Sequence, residues 1–165
     1  MHQCHKADKT YGMLVDIETL KARLTPGMRL LGLDPGTKTI GIARSDSLLQ
    51  IATPVEIIRR TKFSKDIIRL KEIIAEEDIG GLIIGLPINM DGSEGPRCQS
   101  TRQFTTNLLE HIELPVCFWD ERLSTAAVTR TLLEADSSRK RRKEVVDKMA
   151  AAYILQGALD RLSLI

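Results

Sequence analysis

Residues 30–43 constrain this chain most. The apolar run Leu30-Leu31-Gly32-Leu33 ends on Asp34, a Pro35-Gly36 turn follows, and a second run opens at Ile40-Gly41-Ile42-Ala43. Apolar runs bounded by Gly and Pro read as strands, so this stretch predicts a hairpin of two buried strands. A carboxylate on a buried strand is costly unless a cation or polar partner meets it. Asp34 is therefore expected where a strand emerges at the rim of a sheet, facing a metal ion or a polar ligand. An Asp that merely forms the turn before Pro-Gly is the plain alternative.

The same punctuation divides the rest of the chain. Strands at about 29–34, 40–45 and 54–58, joined by short connections, predict an antiparallel three-stranded meander. Ser64 is placed to cap a helix through Ile67, Ile68, Lys71, Ile74 and Ala75, which Gly80-Gly81 would stop. Leu82-Ile83-Ile84-Gly85-Leu86 is unbroken, as in a parallel strand covered on both faces. A turn-rich loop over 87–95, a helix over 96–111 and a strand over 115–119 follow, the last ending on Asp120-Glu121-Arg122. Ser124 caps a further helix to about Glu134, a polar basic linker spans 136–142, and a last helix runs from Glu144 to Leu162. The N-terminus adds a polar, disordered stretch over 1–12 and a short helix from Asp16 to Leu24. This order predicts an α/β fold in three layers, a mixed five-stranded sheet with helices on both faces.

Two strand ends thus carry acids, Asp34 and the Asp120-Glu121 pair, and sites in α/β sheets gather at the carboxyl ends of strands. The last helix offers a third. Asp147, Ala151, Ile154 and Ala158 share one face, and that face is small and apolar beyond Asp147, so it is expected to pack inward. Asp147 could then point over the rim, or simply complement the helix dipole. Three converging carboxylates repel one another unless a divalent cation sits between them. Mg²⁺ or Mn²⁺ is the fitting ion for such hard oxygen ligands, and phosphoryl transfer the fitting chemistry.

The cations agree. Lys38 and Arg122 lie beside the acids in sequence, and Arg139-Lys140-Arg141-Arg142-Lys143 immediately precedes Asp147. Those five cations exceed the net charge of +2, so the remainder of the chain is acidic and attraction for a polyanion is local. Asn89, Ser93 and Arg97 could follow a nucleic-acid backbone, although such residues also make ordinary turns. Aromatic residues are only 4% of the chain, with Phe118 and Trp119 alone near the rim, which favours shape and phosphate contact over base stacking.

At 165 residues the chain reads as one domain able to bury a core without metal or disulfide staples. It holds no run of the ~18–20 apolar residues that span a bilayer, and residues 1–11 lack a signal-peptide core, so no membrane partner is expected. Cys4, Cys98 and Cys117 are odd in number and widely spaced, as in a reducing cytoplasm. His2, Cys4 and His5 fit a mobile terminus better than a metal site.

Three segments in this order resemble the YqgF- or RuvX-type family of pre-16S rRNA nucleases, also labelled Holliday junction resolvases. They are Leu33-Asp34-Pro35-Gly36-Thr37-Lys38-Thr39-Ile40-Gly41, Gly85-Leu86-Pro87-Ile88-Asn89-Met90-Asp91-Gly92-Ser93 and Asp120-Glu121-Arg122-Leu123-Ser124-Thr125, with a looser fourth at Val146-Asp147-Lys148-Met149-Ala150-Ala151. The likeness covers about residues 29–162, leaving residues 1–28 as an extension to a domain over 29–165. It implies a ribonuclease-H-like fold and a divalent-metal nuclease of the bacterial cytoplasm that trims the 5′ end of precursor 16S rRNA. Asp34, Glu121 and Asp147 are then the catalytic, metal-holding acids. Many members of the wider superfamily end the central strand on an acid, where this chain has Gly85-Leu86-Pro87; Asp120 could serve in place of Glu121.

Three other functions are compatible with parts of the pattern. A Holliday junction resolvase would need a two-fold dimer for paired cuts, whereas an RNA trimmer works as monomer or homodimer. An Asp-x-Gly-Thr hairpin also opens actin-like ATPases, but these need two such domains. A purely nucleic-acid- or transcription-associated binding protein would use the basic run and leave the acids idle.

Overall fold

The computed structural model describes residues 13–123 and the last helix onward from residue 139, with side chains there from residue 149. Strands β1 (Arg29–Pro35), β2 (Thr39–Ser45) and β3 (Ala52–Arg59) form the expected meander, antiparallel throughout. β4 (Ile79–Leu86) joins β1 in parallel and β5 (Val116–Asp120) joins β4, giving the order β3-β2-β1-β4-β5. Every residue of β4 is buried, because helices cover both faces of the sheet.

Alternation of side chains across the strands separates two cores. On one face Leu31, Leu33, Ile40 and Ile42 pack with Ile67, Leu70 and Ile73 of α2 (Phe63–Glu76) and with Phe104 and Leu108 of α3 (Pro96–Leu109). On the other, Leu30, Ala43, Ile83 and Trp119 pack with Leu20 of α1 (Ile17–Arg23) and Ala151, Ile154, Leu155 and Ala158 of α4 (Arg139–Leu162). Close approach on this second face depends on missing side chains. A Cβ at Gly32 would come 2.7 Å from the Leu155 Cβ, and one at Gly157 would come 3.0 Å from Trp119 Nε1.

Local signals moved in four places. Ser64 lies inside α2, whose N-cap is Lys62 with no side-chain hydrogen bond. The buried stripe of α2 is Ile67, Leu70 and Ile73 with Asp66, and Ile68 is 57% exposed, so the apolar face is turned from the expected one. The helix stops at Asp78, which takes the left-handed conformation (φ 53°), and Gly80-Gly81 belong to β4. There the glycines make room for Met28 and Leu20. The basic run Arg139–Lys143 forms the first turns of α4 rather than a linker. The helix expected after Ser124, like the polar stretch over 1–12, lies outside the described residues.

The segment before β1 is part of the packed body. Asp16 caps α1 by accepting from Thr19 N–H at 2.7 Å, Leu20 is fully buried, and Lys21 Nζ donates to the carbonyls of Leu162 and Ile165. α1 therefore clamps the C-terminal end of α4. Gln156 clamps the same end from the other side, accepting from Ala52 N–H and donating to the Gln50 carbonyl. These contacts lie at the foot of the sheet, so α4 points its N-terminus toward the edge where β1, β4 and β5 end.

Candidate active site

The rim begins at Asp34. Two residues beyond Gly32 on β1, it faces the α4 side of the sheet, and it is buried (6% exposed). Its register partner on β2 is Gly41, and on β4 the pairing Leu33↔Ile84 brings Gly85 alongside. Asp34 is thus flanked on both neighbouring strands by glycine, which leaves space above the sheet around its carboxylate.

Glu121 fills part of that space. It opens a single 3₁₀ turn (Glu121–Leu123) directly after β5 and is also 6% exposed. A Cβ built on Gly85 would overlap Ile154 of α4 and approach Glu121 Oε1 to 2.9 Å. Gly85, one residue before the end of β4, is therefore the cradle that admits Glu121 from the turn after β5.

Asp120 goes the other way. Trp119 belongs to the core under α4, so its neighbour Asp120 faces the α3 side with Phe118. There its carboxylate accepts from the backbone N–H, Nε and Nη2 of Arg122 at 2.8–3.1 Å. The guanidinium bonds hold the Asp120 carboxyl below the usual carboxylate range and raise the Arg122 pKa in turn. Of the two adjacent acids, the buried one beside Gly85 is Glu121.

The backbone of α4 carries Asp147 toward the same level. The carbonyl of Ala151 lies 3.1 Å from the Cβ position of Gly32. One helical turn back from Ala151 is a rise of ~6 Å, and two strand residues on from Gly32 is ~6.6 Å, both toward the rim. The Asp147 side chain and those of Arg139, Lys140, Arg141, Arg142 and Lys143 lie outside the described residues.

The remaining expected site residues divide by what their side chains touch. Lys38 stands exposed in the β1–β2 turn, and Arg97 stands exposed in the first turn of α3. Asn89 uses its amide within its own loop, donating to Ser93 Oγ at 3.0 Å, so it braces that loop. Arg60 had no part in the sequence reading. Its N–H donates to the Lys38 carbonyl at 2.8 Å, its Nη1 to the Gly36 carbonyl at 2.6 Å, and its guanidinium lies 5.4 Å from the centre of the buried Phe104 ring. It ties the turn carrying Lys38 to the body of the protein. Its only sequence signal was its place just after β3, across from the turn.

Two buried carboxylates at one strand-end rim suit a hard divalent cation, because the donors are oxygen and like charges need a counter-charge to share a buried site. The sheet order and the helices on both faces make this a ribonuclease-H-like α/β fold. T. thermophilus RuvC in complex with a Holliday junction substrate superposes with a TM-score of 0.50 over 82% of this chain and 96% of that one, at 13% identity, a likeness of fold.

The chain belongs to the RuvX family, whose model, described as "Holliday junction resolvase", matches residues 28–161. A relative from Roseobacter denitrificans is 63% identical over 85% of this chain and 88% of its own length. One from Paramagnetospirillum magneticum is 62% identical over 87% and 93%. Each is named "Putative pre-16S rRNA nuclease". No helix among the described residues is long and apolar enough to cross a membrane.

Proposed function

We propose that this protein is a divalent-metal-dependent nuclease that hydrolyses phosphodiester bonds and trims the 5′ end of precursor 16S rRNA. The observation that supports it most is the pairing of two buried acids, Asp34 and Glu121, on one face of the sheet at one rim. Family membership and the names of the relatives agree with the reaction class.

Asp34, Glu121 and Asp147 would hold Mg²⁺ or Mn²⁺. A bound ion of this kind supplies charge for the scissile phosphate and lowers the pKa of a bound water into the neutral range. The rest falls to the chain. Lys38, on a turn fixed by Arg60, reaches the phosphate flanking Asp34. Arg97 and Arg122, near the ends of β4 and β5, and the residues Arg139–Lys143, in the first turns of α4, would add further phosphate contacts. Burial of Asp34 and Glu121 lowers the local dielectric and strengthens the hold of these two carboxylates on the ion.

Cleavage of a labelled precursor-rRNA fragment beside a four-way DNA junction tests this, in Mg²⁺, Mn²⁺ and EDTA. Metal-dependent cleavage of the RNA in preference to the junction is the expected result. Preferential paired cutting of the junction would assign the resolvase activity named by the family model, carried out by a dimer. Cleavage of neither substrate would leave a binding role and overturn the enzyme.

A further inference from the structure

The start of α2 carries two lysines that no described residue neutralises. Between Glu56 and Glu72 the chain has six cations, at 59, 60, 62, 65, 69 and 71, and one acid, Asp66. Asp66 is buried (5% exposed), and its Oδ1 accepts from the N–H and Oγ1 of Thr61, so it closes the turn into α2 instead of screening the surface. Arg69, further along α2, is met by Glu56 and Glu72 at 2.6 and 2.9 Å. Lys62, immediately before α2, and Lys65, in its first turn, are exposed and make no ion pair among the described residues. The same holds for Lys38.

The backbone places these lysines beside the rim. Arg59, the last residue of β3, pairs with Thr39, and the N–H of Arg60 bonds the Lys38 carbonyl, so Lys62 follows two residues after a direct tie to the Lys38 turn. In the sheet order the end of β3 stands two strands from the end of β1, about 10 Å at ~4.8 Å per strand. A stacked nucleic-acid strand rises ~3.4 Å per phosphate, so that distance is about three nucleotides from Asp34. Asp34 faces α4 and α2 covers the opposite face, so a strand meeting both would pass over the rim at Lys38. Single exposed lysines are ordinary. Three at one junction, with the local acid buried, create a positive potential on a chain that is net acidic outside residues 139–143.

We propose that Lys62 and Lys65, continuing from Lys38, bind backbone phosphates of the nucleic-acid strand about three nucleotides from the scissile bond, so that the protein selects substrates with a flank of at least that length on one side of the cut. Phosphate contacts position a strand without reading its sequence, so the selection is by length and path. The inference rests on the nuclease reading, with the two lysines supplying grip and no chemistry.

The test compares the full-length wild type with a Lys62→Gln, Lys65→Gln double variant and with Lys71→Gln, a charge loss more than a turn further along α2. Anisotropy titrations in EDTA, where no bond is cut, use the precursor-rRNA fragment and versions of it shortened one nucleotide at a time from either end. The double variant is expected to bind the full fragment about tenfold more weakly and to flatten the dependence of log Kd on log salt by ~1.4–1.8, the value for two phosphates. Lys71→Gln is expected to change Kd less than twofold. Shortening one flank below about three nucleotides should weaken the wild type and leave the double variant unchanged. An unaltered salt slope, an equal loss in Lys71→Gln, or the same shortening profile in both proteins would overturn the lysine surface. Cleavage assays on the wild type in Mn²⁺ separate the two readings: an inactive enzyme would overturn the nuclease alone, because the binding data are taken without cleavage.

Discussion

At the scale of single residues, what decides the site is which atoms are missing. Gly85 carries no Cβ, so the Glu121 carboxylate can lie against the end of β4 beside Asp34. Gly85→Ala should therefore cost about 1–3 kcal/mol of stability through overpacking against Ile154. Its larger effect should be on cleavage, which is expected to fall at least about a hundredfold in a variant that still unfolds cooperatively. Thermal melts beside single-turnover rates separate the two effects. Asp120 tests the complementary point. Because Arg122 depresses its folded-state pKa, the pair contributes stability above the unfolded pKa of roughly 4, lost as pH falls through the lower folded value. The pair is partly exposed, so Asp120→Asn should lower stability by less than about 1 kcal/mol at pH 7. Denaturant titrations at pH 7 and in strong acid should show the difference shrinking toward zero at the acid end.

At the scale of elements, the β1–β2 hairpin is held in place by the residue that follows β3. Arg60 bonds the carbonyls of Gly36 and Lys38 and rests on Phe104, so it fixes a turn it does not belong to. Arg60→Ala should loosen Lys38 and raise KM severalfold while lowering kcat less, a split that steady-state kinetics on the RNA substrate would show. The elements themselves were largely legible in the sequence. Strand runs 30–34, 40–45 and 82–86 were visible because Gly and Pro bound them and burial on both faces demands unbroken apolar runs. What was not legible depended on contacts distant in sequence. Gly80-Gly81 read as a helix stop, yet they are strand glycines shaped by Met28 and Leu20. Arg139–Lys143 read as a linker because five cations show no apolar period, although they wind into the start of α4. The Asp34 rim was visible from one hairpin, but only the pleat of β5 distinguishes inward Glu121 from outward Asp120.

At the scale of the whole molecule, contact with a polyanion is proposed to fall to the cations around the rim. If the run at 139–143 contacts phosphates, replacing its residues with Gln should flatten the dependence of log Kd on log salt by ~0.7–0.9 per phosphate lost. Anisotropy titrations over a range of salt concentrations would measure it, and equal slopes would remove the run from the interface. The same molecule buries two thiols. Burial pushes Cys98 and Cys117 up to about 11, so neither should react with a thiol reagent at neutral pH until the fold opens. Reaction following global unfolding, timed by mass spectrometry, is the expected pattern.

The central claim is that Asp34 and Glu121, rather than Asp120, form the acid pair of a metal-dependent nuclease. Single-turnover cleavage of the precursor-rRNA fragment in Mn²⁺ should be compared for wild type, Asp34→Asn, Glu121→Gln and Asp120→Asn. The account predicts losses of at least about a hundredfold for Asp34→Asn and Glu121→Gln, and a rate near wild type for Asp120→Asn. A Glu121→Gln variant as active as wild type, with cleavage lost in Asp120→Asn instead, would contradict it.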